Sequence, residues 1–398
     1  MQLRDRQQEL AIAPLWRLGF RPFFLGGALF AVLAIGLWAA ALLGYLPGWQ
    51  PVGGSLAWHR HELPFGFAVA IIAGFLLTAV QTWTGRPGLS GWPLAALFGL
   101  WLLARLGWLL GAPLPLLLAL QLPFLPLLAL LLGRQLWQVR QWRNYPLVVV
   151  VLLMAGCEWL LLYGLALAED ALQRRGALAG LWLIAALVSI IGGRVIPFFT
   201  QRGLNRAEPA APRPRLDLLV LLLSLSLALL FASGLALQPS LWLLPLLLAL
   251  VALHGVRLWH WYDAGIWRVP LLWSLHLAYA WLPLALLALA LATWHAGWLS
   301  NASLAYHAMA LGTVGGAILA MLARVSLGHT GRPLQPPVAM GWAFASLQLA
   351  VLARVLLVPF APAAGLGLSS LLWIAAFALF VRYYAVMFCT SRVDGQPG

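Results

Sequence analysis

Long apolar runs, broken at short intervals by clusters of Pro, Gly and Arg, dominate this chain from end to end. A helix needs about 20 predominantly apolar residues to cross the hydrocarbon core of a bilayer. The breaks leave twelve runs of that length. They are predicted at about residues 22 to 44, 60 to 83, 91 to 111, 113 to 133, 147 to 168, 177 to 199, 216 to 236, 240 to 258, 270 to 293, 301 to 323, 338 to 358 and 366 to 388. No stretch remains that could build a soluble domain. The pattern predicts an all-α polytopic membrane protein with one integral membrane domain over residues 1–398.

Composition agrees: 63% of the 398 residues are hydrophobic and 9% charged, with mean hydropathy +0.92, outside the range of soluble domains. The net charge of +14 comes from 24 Arg and no Lys. With the N-terminus inside, the inner segments hold most of them, among them Arg4, Arg6, Arg86, Arg134, Arg194, Arg202, Arg213, Arg257, Arg332 and Arg392, whereas Arg60, Arg174 and Arg175 fall outside. This is the positive-inside asymmetry, and it predicts cytoplasmic termini on either end of an even number of spans. The basic balance is thus a topology signal, and no nucleic-acid partner is expected. Ala39-Ala-Ala41 has the look of a signal-peptidase site, but the apolar run around it is longer than a signal peptide's and predicts a retained helix. Cys157 and Cys389 form no CxxC or CxxCH pattern, which argues against covalent haem attachment and a cysteine zinc site.

An internal repeat gives the chain its strongest chemical signal. His61-Glu-Leu-Pro-Phe-Gly66 runs on to Thr84-Gly-Arg-Pro87, and His307-Ala-Met-Ala-Leu-Gly312 runs on in the same register to Thr330-Gly-Arg-Pro333. A third copy is read in Arg194-Val-Ile-Pro-Phe-Phe-Thr-Gln-Arg202, so that helices 2, 6 and 10 all finish on Thr-(Gly or Gln)-Arg. The expectation is three four-helix units, over 18–146, 147–268 and 269–392. Such an arrangement resembles in architecture the catalytic subunit of haem-copper oxidases.

Histidine is the commonest metal ligand, and an ionisable residue in a bilayer is expensive. Topology places His59, His61, His295 and His307 toward the outer face and His254, His260, His276 and His329 toward the inner one. At 100° per residue, His59 and His61 project about 200° apart, so they serve two sides of helix 2 unless His59 lies in a non-helical lead-in. A histidine of helix 2 facing His307 suits bis-imidazole ligation of haem b. His276 and His329, with His254 as a third ligand, suit copper. His260 and His295 lie among boundary tryptophans and read as interfacial anchors. Arg105, Glu158 and Arg354 are charges at depth. Glu158 and Glu62 are the candidates for proton handling, and Arg105 and Arg354 for pairing with haem propionates or with Glu158; for Glu62 a helix N-terminal carboxylate is an equal reading.

Several stretches together resemble the NnrS family, the haem- and copper-containing inner-membrane proteins of the bacterial nitric-oxide response. They are Leu18-Gly-Phe-Arg-Pro-Phe-Phe24, Trp58-His-Arg-His-Glu62, Gly74-Phe-Leu-Leu-Thr-Ala79, Trp83-Thr-Gly-Arg-Pro87, Gly193-Arg-Val-Ile-Pro-Phe-Phe-Thr200, Leu275-His-Leu-Ala-Tyr-Ala-Trp281, Tyr306-His307 and Ala323-Arg-Val-Ser-Leu-Gly-His-Thr-Gly-Arg-Pro333. The family's recurrent histidines fall on His59, His61, His276, His307 and His329. Leu63 stands where the family's motif has Met, and Cys157-Glu158 stands where a more neutral stretch is expected.

The resemblance implies haem b and copper as cofactors, the bacterial inner membrane as location, and nitric oxide as ligand or substrate. Reduction of nitric oxide would need electrons from quinol or a redox protein. The competing expectation is a transporter or handling protein for copper or haem.

Overall fold

The computed structural model describes residues 6–238, 240–295 and 300–396, with the side chains of 6–8 left out. Among the described residues there is no strand. Twelve helices are long and apolar enough to span a membrane: α1 (Phe20–Leu42), α2 (Gly54–Thr84), α3 (Trp92–Leu109), α4 (Leu114–Gln138), α5 (Trp142–Ala166), α6 (Asp170–Gly203), α7 (Pro214–Ser233), α8 (Leu241–Trp261), α9 (Pro270–Thr293), α10 (Ala302–His329), α11 (Val338–Leu357) and α12 (Pro362–Cys389). The chain is therefore a multi-pass membrane protein. In lipid every backbone polar group must be satisfied within the segment, which is why apolar runs of this length become helices.

Most predicted ends hold within a few residues, and three differ for a physical reason. The helix α2 starts at Gly54, so His59 and His61 are both helical. Helix α6 extends from Asp170 to Gly203, because its polar ends remain helical beyond the apolar window. Helix α10 continues to His329, which closes the helix instead of opening the loop after it.

The spans that carry the repeat are the most buried: 78% of the apolar window in α10, 72% in α2 and 67% in α6, against 22% in α1. Leu33, Leu130 and Leu371 on outer spans are exposed, as lipid-facing residues are. Thr84 Oγ1 donates to the Val80 carbonyl at 2.7 Å, Thr200 Oγ1 to Ile196 at 2.8 Å and Thr330 Oγ1 to Ser326 at 2.6 Å. Each threonine thus binds the carbonyl one turn back, at the end of its helix.

The chain forms two compact units, one of Met1–Ala177, Leu322–Gln335 and Phe377–Gly398, the other of Leu178–Met321 and Pro336–Ala376. In the first, Phe20, Phe23 and Phe24 are fully buried, and Phe23 meets Phe98 and Phe124 edge to face. Arg21, also fully buried, donates to the carbonyls of Phe388 at 3.0 Å and Thr390 at 2.7 Å. The end of α12 has carbonyls without helical partners, and a guanidinium satisfies several at once. The Gly-Phe-Arg-Pro-Phe-Phe stretch is thereby a packing and capping element. In the second unit Ile196, Trp261, Leu275, Tyr279 and Ala320 form a buried cluster.

Candidate functional site

The two histidines of the repeat share an uncommon backbone feature. A π-helical segment, Glu62–Ala68, begins directly after His61, and another, Ala308–Gly315, begins directly after His307. The Val69 amide bonds the Pro64 carbonyl, and the Gly316 amide bonds Leu311, each five residues back. Such segments insert one extra residue per turn, re-aim the side chains that follow and recur at functional sites. Gly66 and Gly312 hold the same place in both copies. A Cβ on Gly66 would come 2.9 Å from Arg105 Nη1, and one on Gly312 would come 2.3 Å from the Trp281 indole. Side chains of neighbouring helices therefore occupy the space a Cβ would need at both glycines.

In the first unit His61 is at the centre of a wholly buried polar network. Its Nδ1 lies 2.8 Å from Glu62 Oε1, and its Nε2 lies 3.3 Å from Glu158 Oε1 on α5. Arg105 of α3 places Nε 3.0 Å from Glu62 Oε2 and donates through Nη2 to Gln121 of α4. Gln121 Nε2 donates to Glu158 Oε1 at 2.6 Å. The His61 ring stacks on Trp108, centroids 4.5 Å apart. Two carboxylates, a guanidinium, an amide and an imidazole thus close a ring drawn from four helices. A lone charge at this depth costs about 3 kcal/mol, and the pairing of Arg105 with Glu62 and Glu158 offsets much of that. An imidazole between two carboxylates can accept a proton on one nitrogen and release one from the other. The direct partner of Arg105 is Glu62, where the sequence offered Glu158 or a haem propionate, and Glu158 joins it through Gln121.

His59 faces elsewhere. Its ring stacks on Trp38 of α1, with centroids 4.2 Å and planes 12° apart. His59 and His61 therefore serve different sides of α2, as their angular spacing predicts.

The second unit holds three more of the predicted histidines in separate settings. His307 Nδ1 donates to the Ser303 carbonyl at 2.7 Å, and Arg354 Nη2 lies 3.3 Å from Nε2. His276, 4% exposed, has its Nδ1 3.0 Å from the Leu272 carbonyl. His254 Nδ1 lies 2.8 Å from Tyr279 Oη, which also accepts from Arg257 Nη1 at 2.8 Å. Arg257 further donates to Ser189 Oγ at 2.7 Å and reaches Asp217 at 3.2 Å. This network draws on α6, α7, α8 and α9. Arg257, counted from the sequence among the arginines of the inner segments, is thus a buried hub. His329 belongs to the first unit, with its ring centroid 5.5 Å from Phe20 and its carbonyl accepting from Arg392 Nη1 at 3.1 Å. His260 Nε2 lies 2.9 Å from the Ala211 carbonyl at an exposed position, in keeping with an interfacial role.

Metal ligation requires an imidazole with one nitrogen tied to a second-shell acceptor and the other left with a lone pair. His61 and His276 meet that requirement. Each is buried, each has Nδ1 held by a carboxylate or carbonyl, and each has an Nε2 outside hydrogen-bond geometry, that of His61 facing Glu158 Oε1 at 3.3 Å. Haem and copper both fit donors of this kind. Among the described residues no three His, Cys, Asp or Glu side chains converge as a ready metal-binding group. Glu62 and Glu158 lie toward opposite nitrogens of His61 and so do not point at a common centre.

Sequence reasoning missed Gln121, Trp108, Ser189 and Tyr279. The signals were faint but present. Gln121 is an amide in an otherwise apolar run, and His254 and Arg257 stand three residues apart on one helix face.

Comparison with known proteins matches the picture. A search of curated proteins returns no match. The model of the NnrS protein family matches residues 14–392, which takes in all twelve spans, both π-helical histidine segments and the buried networks. The chain belongs to the NnrS family and is a multi-pass membrane protein of the nitric-oxide response.

Proposed function

We propose that this protein binds nitric oxide at a histidine-held metal site, and reduces it when electrons are supplied. Haem b is assigned to the outer histidines His59, His61 and His307 and copper to the inner histidines His276, His329 and His254, and of these His61 and His276 carry the assignment. The location is the bacterial inner membrane with both termini cytoplasmic. The observation that carries this reading is the state of His61 and His276: two buried imidazoles, each tied at Nδ1 to a carboxylate or carbonyl, so that Nε2 is the nitrogen each could offer to a metal.

When bound, the metal supplies a coordination position for nitric oxide and a route for electrons. The chain's own residues do the rest. Glu62 orients the His61 ring, Trp108 covers its face, and Arg105 balances the carboxylates. Conversion of two nitric oxide molecules to nitrous oxide and water takes two electrons and two protons. Glu62 and Glu158, which flank His61 at 2.8 and 3.3 Å, are assigned the protons. The electrons are assigned to quinol or a partner redox protein.

Iron and copper content of purified wild type, His61→Ala, His307→Ala and His276→Ala tests the assignment. Loss of haem in the first two and of copper in the third is expected. Full haem in both outer variants would overturn the haem assignment. Metal that exchanges freely in wild type would favour handling or transport of copper or haem.

A further inference from the structure

Arg105 on α3 and Arg354 on α11 each reach the start of a π-helical segment, Arg105 at Glu62 and Arg354 at His307. Their surroundings differ in one respect. Arg105 has Glu62 at 3.0 Å and the Glu158 carboxylate in the same hydrogen-bonded ring. Arg354 has Ser303 Oγ at 3.4 Å and His307 at 3.1 and 3.3 Å, and among the described residues no carboxylate lies within 4 Å of it. At the place of Glu62 the second copy has Ala308.

The backbone around Arg354 is also unusual. Arg354 lies inside a third π-helical segment, Ala353–Leu357, and His307 borders the second. Two departures from α-helical geometry, on different helices, thus meet at one guanidinium. A cationic side chain near the end of a span ordinarily snorkels to the headgroups. Arg354 is half-buried and instead turns onto the His307 ring.

We infer that Arg354, with Ser303 and His307, forms a carboxylate-binding site, in which a bound ligand supplies the negative charge that Glu62 and Glu158 supply to Arg105. Arginine's planar fork pairs with a carboxylate through two parallel bonds. Ser303 Oγ adds a further donor. The carboxylate comes from one of two sources, a propionate of the haem assigned to the outer histidines or a free small carboxylate. Only the first rests on the haem assignment.

The test uses the purified full-length protein in detergent. Haemin and its dimethyl ester, which lacks the propionate charge, are titrated into haem-depleted wild type, Arg354→Gln and Arg354→Lys. Melting of the same proteins is followed with and without sodium formate. If the source is a propionate, Arg354→Gln binds haemin about tenfold more weakly than wild type, Arg354→Lys falls between, and the ester binds all three alike. If the source is a free carboxylate, formate raises the melting temperature of wild type but not of Arg354→Gln, while haemin affinity is unchanged. Should the protein take up no haemin, the haem assignment fails and the formate comparison alone decides this inference. Should Arg354→Gln not fold, wild type decides through haemin against its ester and through formate. Equal affinity for haemin and ester, together with no response to formate that depends on Arg354, overturns the site.

Discussion

His61 Nδ1 lies 2.8 Å from Oε1 of Glu62, the next residue in the chain, and both side chains are fully buried. Neighbouring residues on a regular α-helix project about 100° apart. Both residues keep right-handed helical backbone angles, and a π-helical segment starts at Glu62. The pair has the form of the carboxylate–histidine contact that orients metal ligands.

Replacing Glu62 separates its two duties. Glu62→Gln keeps a hydrogen-bonding group beside His61 but removes the charge facing Arg105; metal or haem at His61 should bind about 10- to 100-fold more weakly. Glu62→Ala also leaves Arg105 with a broken pair and should cost about 3 kcal/mol of stability. Haem titration and melting in detergent read the two effects separately. Unchanged haem affinity in Glu62→Gln would contradict an orienting role.

Gly312 tests the close packing behind the second π-helical segment. A Cβ there would come within 2.3 Å of Trp281, whose indole donates to Gln348 at 2.7 Å. Gly312→Ala should destabilise by about 1–3 kcal/mol through overpacking. At Gly99 of α3 a Cβ meets nothing within 4 Å. Gly99→Ala should be neutral or gain up to about 1 kcal/mol from helix preference. Melting temperatures that move alike in both variants would show that Gly312 is not a contact point.

Asp394 lies beyond the last span, where Arg392 binds its carboxylate and holds its pKa at about 2, below the ordinary 3.8. The same tail hydrogen-bonds the end of α10, from the Val393 amide to the Thr330 carbonyl at 3.2 Å and from Arg392 to His329. A depressed carboxylate contributes stability above its unfolded value and loses it as pH falls through the folded one. Tail docking should therefore be complete above pH 4 and weaken toward pH 2. Asp394→Asn should loosen the tail at neutral pH, seen as faster amide exchange at Val393; unchanged exchange would show that the ion pair does not hold it.

The twelve spans were readable because lipid leaves the backbone so few choices. Helix ends were read less well where polar residues stay helical, as at Gly54 and Asp170. The histidines of the repeat stood out, and Glu158 and Arg105 stood out as charges at depth, whereas Glu62 read equally well as a helix N-terminal carboxylate. The π-helical segments did not, since a single bond to the fifth residue back leaves no compositional mark. The partnership of Tyr279 with Arg257 and Ser189 was hidden for another reason. It depends on the register of three helices, which the period of any one helix does not specify.

The most direct test of the account is the absorption spectrum of the purified protein, oxidised, reduced, and reduced with nitric oxide, with iron and copper quantified in the same samples. The account predicts a haem b spectrum that shifts on adding nitric oxide and is lost in His61→Ala and His307→Ala, with copper lost in His276→Ala. Absence of both metals from protein produced with ample haem and copper would contradict it.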